Sequence, residues 1–301
     1  MGGFIFMINE VLYCLKTRDV RKLKNCFKSI LPDRYVSNAV FKKHHNRRID
    51  EQNPTLLDEK LLILKDGLYR NNTLVTNCTD KYEVREYVRS KGYGDALVRL
   101  IGSYRSTDEI DWDALPDKFV LKCNHGSGYN IIVTDKKTTD RKEAYRQLRA
   151  WMKQDYATIS AEHHYHDISH RILIEEYIQT KAGKFPVDYK FFCSRGKVIC
   201  MLLVAGRGTK KVRVYVDRDF RDLHLIDEYR DGNLESLKPA SFDRMIGMAE
   251  KLSEDFPLVR VDLYDRDGEV LFGELTFTPH GCCHDYLDEK AQKWIGDRVT
   301  L

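Results

Sequence analysis

Apolar residues recur every three or four positions over residues 55–65 and 81–90, a spacing that places them on one face of a helix. Thr79 and Asp80 precede the second segment as a helix cap does. From Phe119 onward the pattern changes to short runs rich in β-branched and aromatic residues, at 119–122, 130–133, 171–178, 187–194, 198–204, 212–216, 258–264 and 269–277. Two further helical patterns interrupt these runs, at 139–155 and at 241–255, the second with Ser241 as its N-cap and Pro257 beyond its end. Arg195–Gly196 and Asp267–Gly268 each separate two strand-like runs, which predicts tight hairpins and antiparallel pairing. The expected class is α+β: residues 1–110 mainly helical, 111–180 a small lobe with a glycine flap, and 181–301 a larger lobe. No GxGxxG follows a strand, so a Rossmann sheet is not expected.

Composition adds limits. With 301 residues, 42% of them hydrophobic and 32% charged, the chain fits a soluble globular protein and not a collagenous or disordered one. Its 50 Lys and Arg against 46 Asp and Glu give +4, too small an excess for a dedicated nucleic-acid binder. Lys42, Lys43, Arg47 and Arg48, interleaved with His44 and His45, read as a solvated surface or a contact for an anionic partner. Eight cysteines, at 14, 26, 78, 123, 193, 200, 282 and 283, form no CxxC pair, so reduced thiols and a cytoplasmic setting are expected. The apolar stretch 2–8 is broken by Asn9 and Glu10, far short of a membrane span. Phe4, Ile5, Ile8, Val11, Leu12 and Leu15 share a helical face followed by basic residues, which suits packing on the protein itself or peripheral contact with a membrane.

Three constellations carry candidate chemistry. Phe119-Val-Leu-Lys122-Cys-Asn-His125-Gly126-Ser127-Gly128 reads as a strand running into a glycine loop before the next strand, a flap whose backbone and lysine suit a polyphosphate. It is neither a Walker loop nor a nucleophile elbow, and taken alone it also fits an ordinary hairpin turn. The run 172–178 is an apolar strand ending in Glu175, Glu176, Tyr177 and Ile178, and Asp188 and Lys190 share one face of the following strand. The carboxylates can accept hydrogen bonds from an adenine amine or ribose hydroxyls, though a solvated face explains them equally. The third constellation is Arg260-Val-Asp262 and, across the Asp267–Gly268 turn, Glu274-Leu-Thr276. Hairpin pairing brings Asp262 and Glu274 together, and hard oxygen ligands of this kind suit Mg²⁺. Asp265, Asp267, Gly268 and Glu274 also fit the later positions of an EF-hand loop, but Leu263 stands where its first ligand belongs. Two histidine-rich stretches, 163–170 and 280–284, lack zinc spacing and read as surface or substrate-contacting groups.

In their order these blocks resemble the ATP-grasp superfamily. Phe-Val-Leu-Lys-Cys-Asn-His-Gly-Ser-Gly, Asp-Tyr-Lys-Phe-Phe, Arg-Val-Asp-Leu-Tyr and Phe-Gly-Glu-Leu-Thr-Phe-Thr-Pro are similar to its TupA-like family, over about residues 54–281. The resemblance implies two α+β lobes with antiparallel sheets clasping ATP. Lys122 and Lys190 would meet the phosphates, residues 125–128 would close over them, Glu176, Tyr177 and Ile178 would line the adenine with Glu175 or Glu176 reading its amine, and Asp188 would take the ribose. Asp262 and Glu274 would hold Mg²⁺, two ions in all, and Arg260 would steady an acyl-phosphate and the tetrahedral intermediate. Arg85 stands where many relatives have a second phosphate-binding lysine, and Thr276 where the superfamily has a metal-binding Asn.

The implied reaction is phosphorylation of a carboxylate by ATP followed by attack of an amine. The family's name points to a uronic acid or peptide carboxylate in capsule or other surface-polysaccharide biosynthesis. A sugar kinase and a glycosyltransferase-type protein are the competing readings, and the small-molecule partners are an amine and a carboxylate or saccharide. The sequence leaves the oligomeric state open.

Overall fold

A computed structural model describes residues 33–181, 186–206, 212–227 and 233–301. The amphipathic pattern over residues 4–15 lies outside the described residues. Four helices come first: α1 (Asp33–His45), α2 (Leu57–Asp66), α3 (Thr73–Thr79) and α4 (Val84–Ser90). Helix α4 starts three residues later than its apolar pattern predicts. The Asp80 carboxylate accepts from the Tyr82 amide at 2.7 Å and closes a turn, which leaves Lys81 outside the helix.

The smaller sheet holds β1 (Leu100–Tyr104), β2 (Phe119–Cys123), β3 (Asn130–Val133) and β4 (Ile172–Glu176), all antiparallel, in the order β1-β4-β2-β3. The helical reading of residues 1–110 contains no β1. Its Leu-Ile-Gly-Ser-Tyr sequence does not alternate, and its pairing with β4 is broken by an irregularity between Leu100 and Gly102. Helix α5 (Arg141–Met152), capped by Asp140, buries Ala144, Tyr145 and Leu148 against Phe119 and Leu121, and a short α6 (Tyr156–Ser160) follows. Alternation along β2 sends Phe119, Leu121 and Cys123 into this core and leaves Val120 and Lys122 on the other face.

The larger sheet has the order β7-β6-β5-β8-β9, from β5 (Asp188–Ser194), β6 (Lys197–Ala205), β7 (Val212–Val216), β8 (Val259–Arg266) and β9 (Glu269–Thr276). Both predicted hairpins are present. Arg195 and Gly196 have φ of 47° and 77°, Asp267 and Gly268 of 53° and 95°, the paired positive angles of a tight two-residue turn. Register sets Tyr215, Leu202, Lys190, Asp262 and Glu274 side by side across all five strands, so they share one face. Helix α7 (Phe242–Ser253) packs across β5, β6 and β8. Ser241 does not cap it through its side chain, because its hydroxyl donates to Asp265 instead. Helices α2 and α8 (Glu289–Gly296) pack together, and their Leu57, Leu61 and Ile295 belong to the same core as the larger sheet.

Candidate functional site

The two sheets face each other across a cleft of about 260 Å³. From the smaller sheet come Lys122, Glu175 and Glu176, and from the larger come Lys190, Asp262 and Glu274. On the first wall, the Lys122 ammonium donates to Glu175, whose carboxylate also meets Arg85 at 3.6 Å. Arg85 is further held by the Val98 carbonyl at 2.9 Å. Burial lowers the affinity of the Arg85 guanidinium for its proton, and Glu175 restores part of it. On the opposite wall, Lys190 donates to Asp262. Arg260 grips the same carboxylate with two bonds, 2.6 and 2.8 Å, and reaches Glu274 at 3.3 Å and the Thr276 hydroxyl at 3.1 Å. Burial opposes the Asp262 charge, but Arg260 and Lys190 outweigh it and hold the acid below the usual carboxylate range. Burial likewise opposes the charge on Arg260, and Asp262 more than offsets that, so the guanidinium is the more firmly protonated.

The flap links β2 to β3 at the edge of the cleft. Asn124 is fully buried and locks its base: its amide donates to Asp80 at 2.8 Å and to the Ser169 carbonyl at 3.0 Å, and its oxygen accepts from the Arg171 amide at 2.7 Å. The two flap glycines serve different ends. A Cβ at Gly126 would lie 2.5 Å from the Tyr129 ring, so that glycine permits packing, whereas Gly128 has φ of 75° and faces open space, so it permits the turn. Ser127 and Gly128 line the cleft.

Lys122, Ser127, Gly128, Glu175, Glu176, Tyr177, Ile178, Lys190, Arg85, Asp262 and Glu274 are thus gathered around one space. Five other expected residues do not border it. His125 is buried behind the flap, its Nε2 3.1 Å from the Trp151 carbonyl and its ring stacked on His170 at 3.5 Å. Burial lowers its pKa to about 4, and His170 adds to the shift. Gly126 packs beneath Tyr129, and Asp188 is buried at the head of β5. Arg260 lies beneath Asp262, and the Thr276 hydroxyl accepts from Arg260 while donating to Glu274 at 3.0 Å.

One charged cleft residue was not among the expected site residues. Lys81, released from α4, donates to the Gly126 carbonyl at 2.6 Å and stands near both Glu274 and Lys122. Burial pulls its ammonium pKa down, and Glu274 counters part of that. In the sequence Lys81 follows the Thr79–Asp80 cap and reads as the first residue of a helix, which gives it no role in a site.

Elsewhere the basic 42–48 cluster is partly structural: Arg47 pairs with the buried Glu59 at 2.5 Å, and His45 stacks on Phe41 and reaches Asp58 at 3.2 Å. Of the 163–170 histidines, His164 is buried and His170 is held by the Met152 carbonyl, so neither belongs to the surface. The Asp265 and Asp267 carboxylates serve their own hairpin and its neighbours: Asp265 accepts from the Gly268 amide and Asp267 from the Lys181 amide. Among the described residues no group of three or more His, Cys, Asp or Glu side chains is placed to hold a metal, and no helix is long and apolar enough to cross a membrane.

Two antiparallel sheets closing on a lysine-lined cleft, one of them bearing in-register carboxylates, define the ATP-grasp fold. Residues 59–300 match the family described as TupA-like ATPgrasp, and the chain belongs to that family. Among solved structures it is similar to D-alanine–D-alanine ligase from Bacillus anthracis, at 14% identity and a TM-score of 0.39, with 67% of this chain and 57% of that one covered. The Helicobacter pylori D-Ala-D-Ala ligase gives 15% and 0.43, covering 74% and 61%. An L-amino acid ligase from Bacillus licheniformis gives 16% and 0.43, covering 80% and 53%. The chain therefore spans between about half and three fifths of the length of these proteins. No curated protein matches it.

Proposed function

We propose that the chain is an ATP- and Mg²⁺-dependent ligase that phosphorylates a carboxylate and joins it to an amine. The observation that carries this reading is the convergence of Lys81, Lys122 and Lys190 on the space flanked by Asp262 and Glu274. Ammonium groups fixed in place before a ligand arrives suit a polyphosphate, because little reorganisation is needed to receive it. Ser127 and Gly128 cover the phosphates, and Glu176, Tyr177 and Ile178 edge the adenine. Glu175 keeps Lys122 and Arg85 extended toward the phosphates.

The donor set fits Mg²⁺. Asp262 and Glu274 face each other across adjacent strands, and Glu274 keeps 42% of its side chain exposed, which offers hard oxygens beside the phosphate position. These two carboxylates would hold the metal, with Thr276 bracing Glu274, and the bound ion would neutralise phosphate charge. Arg260, behind Asp262, adds a permanent cation to the field of the site as the carboxylate oxygen attacks the γ-phosphorus and ADP leaves. Attack of the amine nitrogen on the acyl carbon then releases phosphate, and the enzyme contributes orientation and electrostatics without a protein nucleophile. The family's name favours a uronic acid or peptide carboxylate of a surface polysaccharide as the acceptor.

Thermal unfolding with a non-hydrolysable ATP analogue, with and without Mg²⁺, and with UDP-sugars tests the nucleotide reading. Stabilisation by the adenine nucleotide, enhanced by Mg²⁺, is expected, together with phosphate release that needs both a carboxylate and an amine. Stabilisation by UDP-sugars alone overturns the reading, and ADP formation with a phosphorylated sugar replaces the ligase by a kinase.

A further inference from the structure

The face that carries Lys190, Asp262 and Glu274 does not end at the nucleotide cleft. The same register continues through Leu202 to Tyr215 on β7, and Arg213, two residues earlier, shares that face. The Arg213 guanidinium sits 4.5 Å from the centre of the Tyr286 ring, and the Tyr286 hydroxyl meets that of Tyr215 at 3.0 Å. The loop after β9 closes over this corner in an unusual conformation. His280, Gly281 and Cys282 all have positive φ, 52°, 61° and 60°, and strain of that kind at non-glycine residues persists where the surroundings enforce it. The turn places the His280 ring 5.0 Å from Tyr286 and 5.2 Å from His284.

His284 supplies the observation that points to a ligand. It is fully buried and doubly tied to Asp58, through its Nδ1 at 2.7 Å and its backbone amide at 3.0 Å. The Asp58 carboxylate is itself fixed by Gln292 at 2.8 Å and His45 at 3.2 Å. A carboxylate only accepts, so Nδ1 carries a proton, and in the neutral tautomer Nε2 then presents a lone pair. Nε2 has no partner among the described residues, although it is buried and ringed by His280, Tyr286 and Phe192. A buried acceptor held in a fixed tautomer calls for an N–H or O–H donor.

We propose that Arg213, Tyr286, His280 and the Asp58-anchored His284 form a second substrate subsite, beside Arg260 but apart from the nucleotide, for a small carboxylate with an N–H or O–H donor near it. Arg213 takes the carboxylate and His284 Nε2 accepts from the neighbouring group. An amino acid and a sugar acid both carry this chemistry. The assignment deepens the ligase reading, since such a molecule would be one of the two compounds joined.

Calorimetric titration of the full chain, saturated with the ATP analogue and Mg²⁺, tests it with two probe sets, α-amino acids and uronic acids. One set should bind, and Arg213→Gln and His284→Phe should each weaken that binding at least tenfold, with Arg213→Lys retaining part of it. Affinity for the nucleotide should stay within twofold in all three variants, which also shows that they fold. Failure of both probe sets to bind, or equal binding by wild type and variants, overturns the subsite. Failure of the nucleotide to bind while a probe still does overturns the ligase reading and leaves the subsite standing.

Discussion

The two walls of the cleft use one device with different balances. Each sets a lysine on one strand against a carboxylate on its antiparallel neighbour, Lys122 with Glu175 above and Lys190 with Asp262 below. On the smaller sheet Glu175 faces Lys122 and Arg85, with Lys81 nearby, so positive groups predominate. On the larger sheet Arg260 and Lys190 are matched by Asp262 and Glu274. A surplus of cations prepares one wall for an anion, whereas the balanced wall keeps the buried Asp262 ionised. The balance, more than the presence of lysine, separates the two roles.

The largest effect is expected at Asp262. Asp262→Asn takes from the buried Arg260 and the half-buried Lys190 the carboxylate they share, so we expect loss of turnover together with destabilisation of about 3–5 kcal/mol, measured by urea unfolding. Glu274→Gln, at the more exposed partner, should also stop turnover but shift the melting temperature far less. Comparable unfolding by both variants would contradict the division of labour between the two carboxylates.

Acid should weaken both lobes. His125 in the smaller lobe and His164 against Phe277 in the larger are each about 1% exposed, with pKa lowered by burial to about 4 and about 3. An unfolded chain protonates these rings near pH 6.5, so it gains protons that the folded state refuses. Their contribution is therefore intact above that pH and declines as pH falls, by about 1.4 kcal/mol per unit for each ring. Denaturant melts at pH 7 and pH 5 should differ by roughly 4 kcal/mol in total from this source, and His164→Phe should flatten the dependence.

The smallest effect is expected at the rim. Arg266 meets Glu176 at 3.0 Å with both side chains partly in solvent, so Arg266→Ala should cost no more than about 1 kcal/mol in a thermal melt. A larger loss would mean that Arg266, through Glu176, contributes more to holding the two sheets together than an exposed bridge does.

The hairpins and the carboxylate pair were legible because local chemistry decides them: Asp267–Gly268 admits the tight turn, and the turn then dictates that Asp262 and Glu274 meet. Strand β1 was not, since a Leu-Ile-Gly-Ser-Tyr run becomes a strand only when β4 is beside it. The site was legible as residue types but not as partnerships. Nothing local marks Glu175 as a brace for Lys122, or Asp58, an ordinary position on an apolar helix, as the anchor of a histidine 226 residues away.

That separation has a consequence for how the protein is made. Asp58 leaves the ribosome long before His284 and Gln292, so during synthesis a carboxylate meant for a buried network waits in water for partners more than two hundred residues behind it. Helix α2 packs against α8 and shares its core with the larger sheet, so it cannot settle early either. Until those later residues emerge, the nascent chain can complete the smaller sheet and its own core but not the core that α2 shares with the larger sheet.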